Sequence, residues 1–222
     1  MAPRSRSYKI SATPSTIFAH LLVIAVATLV LVWLLEKRNG FAFNSVNKFK
    51  IFNLHPFFMI IGYILIGGEA IMAHKTIPAT RRAQKTVHLL LHLVALLCGI
   101  VGIYVVFKFH NEAGLPNMYS LHSWLGMGTI CLYGLQWLLG FFSYVFPRAE
   151  TSSRASFLPW HVFFGLAIFI LAICAAETGL LEKFLFLGLF RSQEALIVNF
   201  IGILLILFAI SVGLTVVLPR VH

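Results

Sequence analysis

The chain has 222 residues, of which 59% are hydrophobic and only 11% charged. A soluble domain averages about 25% charged residues, so this composition cannot coat a water-soluble globule and belongs to a polytopic membrane protein. The formal net charge of +10 does not indicate nucleic-acid binding, because the basic residues lie between apolar runs and form no continuous stripe; it suits loops that face anionic headgroups and small anionic substrates.

A basic stretch, MAPRSRSYKISATPS, leads into an apolar run over 17–35. That run is too long for a typical signal peptide and is followed by no clear small-residue cleavage site, so it reads as a retained first helix. Five further runs follow at roughly 54–73, 86–107, 122–146, 158–179 and 195–218. Each has the ~20 residues needed to cross ~30 Å of hydrocarbon. Backbone amides in lipid must pair within their own segment, which selects helix. The predicted fold is all-α: six transmembrane helices in one domain over 1–222. The connections are short and carry breakers, Asn39-Gly40, Pro78, Gly114, Pro116, Pro147 and Pro159.

Lys and Arg in the loops set the orientation. Arg4, Arg6, Lys9, Lys75, Arg81, Arg82, Lys85, Arg148, Arg154 and Arg220 lie on the side of the N-terminus, ten in all. Lys37, Arg38, Lys48, Lys50, Lys108, Lys183 and Arg191, seven in all, lie on the other. The excess predicts a cytoplasmic N-terminus, and an even number of spans returns the C-terminus to the cytoplasm. Cys98, Cys131 and Cys174 each fall inside an apolar run and read as small core residues. No C-x-x-C-H is present, which excludes covalent c-type haem, and no cysteine pattern implies a disulfide framework or an iron–sulfur cluster.

Four histidines sit near the starts of four consecutive runs: His55, His88, His122 and His161. Consecutive membrane helices alternate direction. His55 and His122 therefore share the non-cytoplasmic surface, and His88 and His161 the cytoplasmic one. Imidazole is an axial ligand of b-type haem, and two per iron leave no open position, so such a centre transfers electrons and does not bind oxygen. Two pairs stacked across a bilayer make an electron wire. With each ligand about one turn inside its helix end, the irons stand about 20 Å apart. Gly126, Gly165 and Gly62 lie four or seven residues after a histidine, on its helix face, where they leave room for a flat macrocycle. His92 follows His88 by four residues and competes with it as ligand. His88 is preferred because its depth after Lys85 matches that of His161 after Pro159; His92 is then left to donate to a haem edge or propionate. His20 has no partner by this logic and reads as interfacial, and His74, His110 and His222 lie at or outside the membrane boundary.

The ordered motifs FNLHPFFM at 52–59, GGEAIMAHK at 67–75, KTVHLLLH at 85–92, KFHNEAGLPNMYSLHSWLG at 108–126 and PWHVFFG at 159–165 resemble the cytochrome b-561 family, in its plant branch. The resemblance runs from about Val32 to Gly213. It implies a central four-helix bundle holding two haem b groups, with His55 and His122 on the non-cytoplasmic iron and His88 and His161 on the cytoplasmic one. It implies transmembrane electron transfer from cytoplasmic ascorbate to monodehydroascorbate, or to ferric chelates, on the far side. The donor site would use Lys75, Arg81, Lys85 and Arg154; ascorbate is a monoanion at neutral pH, and cations beside the cytoplasmic haem would hold it. Lys85 and His110 are the residues implied in catalysis. The matching far-side positions are Phe109, His110, Asn111 and Tyr119, with His110 suited to exchange a proton. A homodimer in a vacuolar, vesicle or plasma membrane is implied as well. A competing class is a metal-ion transporter built on intramembrane histidines, which needs acidic partners along a hydrated path; Glu69 and Glu177 are the candidates within the spans, both near helix ends. A haem-free membrane scaffold is a third.

Overall fold

The computed structural model describes residues 11–219. Arg4, Arg6, Lys9, Arg220 and His222 lie outside the described residues. Among the described residues, six helices are long and apolar enough to cross a membrane: α1 Thr13–Lys37, α2 Lys48–Thr76, α3 Arg81–Ala113, α4 Leu121–Tyr144, α5 Thr151–Phe186 and α6 Gln193–Val217. Their ends carry local stop and start chemistry. Thr80 accepts from the Ala83 amide ahead of α3, Ser120 and Ser123 form a reciprocal capping box on α4, and Ser192 accepts from the Ala195 amide on α6. Gly114 closes α3 in the left-handed conformation, φ 67°, where a side chain would be strained.

The helices outrun their apolar runs. At 1.5 Å per residue, the 33 residues of α3 span about 50 Å, well beyond ~30 Å of hydrocarbon. This length carries Arg81 and Lys85 out at one end and His110 out at the other. Helix α5 starts at Thr151 and passes through Pro159, which the sequence reading took as a boundary. A proline inside a membrane helix deletes one backbone bond without ending the helix when its neighbours hold the segment.

Helix α2 is the least regular. A short first turn, Lys48–Phe52, is capped by the Asn47 side chain. Pro56 donates no backbone bond, and the following stretch Phe57–Leu65 is π-wound. The buried Asn53 side chain donates to the carbonyls of Arg38 (2.9 Å) and Gly40 (2.7 Å), which ties the α1–α2 loop to the turn that precedes His55.

Helices α2 to α5 form a bundle, with α2 against α3, α3 against α4 and α4 against α5; α5 touches α2 and closes the ring. Helices α1 and α6 pair with each other and pack on α2, and α6 also packs on α5. The densest apolar packing lies there, around Trp33, Leu65, Met72, Ile201, Leu205 and Phe208. A Cβ on Gly68 would strike the Phe208 ring, so glycine is what lets α2 and α6 approach. Glu194 on α6 accepts from the Trp33 indole (2.7 Å) and pairs with Arg38, locking the end of α1 to the start of α6. Cys131 and Cys174, expected in the core, are exposed on the outer face of the bundle, where lipid makes an outward thiol inexpensive; all three cysteines are free.

Candidate functional site

The bundle brings the histidines together as two diagonal pairs. His55 on α2 and His122 on α4 stand with ring centres 6.0 Å apart and planes at 88°. His88 on α3 and His161 on α5 stand 6.3 Å apart at 64°. The pairs lie toward opposite ends of α2: His55 is near its start, and the His88 imidazole reaches the carbonyl of Ala70 near its end. Fifteen residues of helix separate those two positions, a rise of about 20 Å.

Hydrogen bonds orient the rings. The Nδ1–H of His55 donates to the Gly102 carbonyl (2.9 Å), that of His122 to Ala175 (2.8 Å) and that of His88 to Ala70 (2.8 Å). Each places the proton on Nδ1 and leaves Nε2 free, the tautomer a metal requires. His161 differs. Its Nδ1 lies 3.1 Å from the Gln136 amide nitrogen, which also donates to the His161 carbonyl at 2.7 Å. Ligation through Nε2 puts a proton on Nδ1 and calls for the amide oxygen of Gln136 there.

The spacing fits a metal held between opposed imidazoles. Two metal–nitrogen bonds of about 2 Å, plus about 1 Å from each nitrogen to its ring centre, give about 6 Å. Helix α5 is bare beside His122, since a Cβ on Gly179 would come within 2.6 Å of the ring, and α4 is bare beside His161, with 3.1 Å from a Cβ on Gly140. A Cβ on Gly126 meets nothing within 4 Å and one on Gly165 meets only Gln136, at 3.6 Å. Gly62, grouped with them on spacing alone, packs instead against Cys98, 2.6 Å from a built Cβ.

At the His55/His122 end, an aromatic cluster leads outward. Phe52 lies 6.1 Å from His55 and 5.1 Å from Phe109, which neighbours His110 at 5.7 Å. The His110 Nδ1–H donates to Asn117 Oδ1 (3.1 Å), and the Asn117 amide donates to Asn111 (3.1 Å). Tyr119 stands 6.4 Å from His110. The structure therefore places Phe109 and Tyr119 beside His110, and joins His110 to Asn111 through Asn117, which was not predicted.

At the other end, Arg81 and Lys85 are exposed one turn apart on the helix that carries His88. Arg154 lies on the His161 helix, donating to Thr151 (2.9 Å), and its buried Nε has no partner. Tyr144 packs on His161 at 5.5 Å. The Lys75 ammonium donates to the Leu218 carbonyl (2.9 Å), where the end of α2 meets the end of α6. His92 faces His88 at 4.4 Å, and its Nδ1 is engaged by the Tyr133 hydroxyl at 2.5 Å. His74, placed at the boundary by sequence, stacks on His88 at 4.9 Å. His20, which has no partner histidine, meets Glu69 through its Nδ1 at 2.7 Å.

A sequence model of the eukaryotic cytochrome b561 family matches residues 54–187, a stretch that includes all four paired histidines. The chain is 52% identical over 215 residues to the probable ascorbate-specific transmembrane electron transporter 1 of Oryza sativa subsp. japonica, covering 95% of this chain and 92% of that one. It is 46% identical over 211 residues to the transmembrane ascorbate ferrireductase 1 of Arabidopsis thaliana, covering 93% and 88%. Identity to the transmembrane ascorbate-dependent reductase of Bos taurus is 39% over 197 residues, covering 86% and 77%. With six membrane helices and a histidine-lined bundle suited to b-type haem, the chain belongs to the eukaryotic cytochrome b561 family.

Proposed function

We propose that the protein moves electrons singly across its membrane, from ascorbate on the cytoplasmic side to monodehydroascorbate or a ferric chelate on the other. The reading rests most on one observation: two diagonal imidazole pairs, at metal-spanning distance, toward opposite ends of one bundle. His55 and His122 would hold one b haem, and His88 and His161 a second. Haem held by these residues would supply a one-electron couple.

The remaining chemistry belongs to the polypeptide. Ascorbate monoanion gives up one electron and one proton on becoming monodehydroascorbate. Arg81, Lys85 and Arg154 attract that anion to the surface above His88 and His161, with Lys85 nearest His88 along the chain and positioning the donor. Lys75 serves the helix ends instead. On the far side, monodehydroascorbate takes one electron and one proton to return to ascorbate. His110, held by Asn117 and flanked by Phe109, Asn111 and Tyr119, is the side chain there able to donate that proton. A ferric chelate takes the electron alone and makes no demand on His110. His92, whose Nδ1 meets the Tyr133 hydroxyl, packs on the ligand His88 and is left to donate to a haem edge or propionate. Both termini are assigned to the cytoplasm on the loop charges, and a homodimer on the family resemblance.

The test is vectorial. Purified protein in sealed vesicles, with ascorbate enclosed and ferricyanide outside, should reduce the outer acceptor without leakage of ascorbate, and His122→Ala should abolish the flow. Equal flow through His122→Ala vesicles would overturn the proposal.

A further inference from the structure

We propose that Lys183 is an anion-holding residue of the far-side site, receiving the carboxylate or enolate oxygens of the incoming electron acceptor; this rests on the direction of electron flow proposed above. Its ammonium stands 3.8 Å from the centre of the Phe52 ring and 5.3 Å from that of Phe49. Phe52 is the ring that separates it from His55, and Phe52 also touches Phe109, the neighbour of His110. The ammonium therefore sits one aromatic ring from an iron-ligating imidazole and on the same cluster as the proton-donating histidine.

Helix α5 explains how it arrives there. Positions 175, 179 and 183 repeat every four residues and share a face. Ala175 accepts from His122, Gly179 backs the His122 ring, and Lys183 comes one turn nearer the surface. A single stripe thus seats the imidazole and then presents a cation just outside it.

Charge accounting separates Lys183 from its neighbours. Arg38 is paired with Glu194, and Lys48 (2.6 Å) and Lys108 (3.8 Å) with Glu112. Among the described residues, no carboxylate lies within ion-pair distance of Lys183, and Lys37, Lys50 and Arg191, also without one, make none of its ring contacts. A half-buried ammonium with no carboxylate in ion-pair contact is costly, and a ring face returns only part of what water gave. An anionic acceptor supplies the missing charge. Both acceptor classes of the proposed reaction are anions, and Lys183 keeps its proton throughout, so it acts on binding and leaves the one-electron balance untouched.

The experiment uses ascorbate-loaded vesicles containing the full chain. Lys183→Met keeps the apolar stem and removes the charge; Lys183→Arg keeps the charge. Haem content and reduction of the haems by ascorbate are measured first for every variant. The expected result is a KM for ferric citrate and for ferricyanide raised about tenfold in Lys183→Met, the loss typical of a hydrogen bond to a charged group. The kcat should hold, the KM for cationic hexaammineruthenium(III) should not rise, and Lys183→Arg should stay within about threefold of the parent chain. An unchanged KM for both anions in Lys183→Met overturns the assignment. So does a change confined to the midpoint potential of the far-side haem, which would put the ammonium on a haem propionate. If the unaltered chain itself carries no electrons across, the functional reading fails; if it does and Lys183→Met matches it in every acceptor, only this inference fails.

Discussion

The two histidine pairs are built on one plan but anchored differently. At the His55/His122 end both imidazoles lean on backbone carbonyls, of Gly102 and Ala175. At the His88/His161 end one leans on the Ala70 carbonyl, while the other depends on the side-chain amide of Gln136. The second pair is also crowded by His74 and His92, whereas the first has Phe52 against His55. A backbone anchor survives substitution of the residue that supplies it. A side-chain anchor does not, so the His88/His161 pair is the one whose imidazole a single outer residue can retune.

Removing a ligand breaks the comparison most severely. His122→Ala should lose the far-side haem and keep the other, and His161→Ala should do the reverse; haem-to-protein ratio and the split of the reduced absorption band report which centre is gone. Crowding a ligand comes next. Gly179→Ala places a methyl 2.6 Å from the His122 ring, and Gly140→Ala places one 3.1 Å from His161. The first should lower far-side haem occupancy and the second should disturb the near side less, as titration of the apoprotein with haemin would show. Gln136→Leu should then raise the midpoint potential of the cytoplasmic centre alone, because an imidazole without its outer hydrogen bond is a poorer electron donor. Equal shifts at both centres in a redox titration would erase the asymmetry. The smallest effect is expected at the surface: Lys85→Ala should raise the KM for ascorbate about two- to fivefold, in keeping with an exposed charge, without altering the KM of the far-side acceptor.

Much of this was legible in the chain. Length and apolarity of the runs gave six spans, because hydrocarbon thickness leaves few alternatives. Alternating direction gave the histidine pairs, because topology converts sequence position into depth. The limits have physical causes. Apolar runs end where lipid ends, but α3 and α5 continue into the headgroups as polar helix, so their true extents were shortened and Pro159 was taken for a break. Contacts between distant residues leave no spacing signal. Glu69 lies 49 positions from His20, Tyr133 lies 41 from His92 and Gln136 lies 25 from His161. Gln136, an amide within an apolar run, carried a signal in its residue type that the sequence reading did not use. That Lys75 meets the Leu218 carbonyl, 143 positions away, is likewise invisible to sequence.

The central claim is that each pair clasps one iron from both sides. Haem stoichiometry and spin state of the purified chain test it directly: the account predicts two haems per polypeptide, both low-spin and six-coordinate in the oxidised state, both reduced by ascorbate. One haem per polypeptide, or a five-coordinate high-spin centre in the unaltered protein, would contradict it.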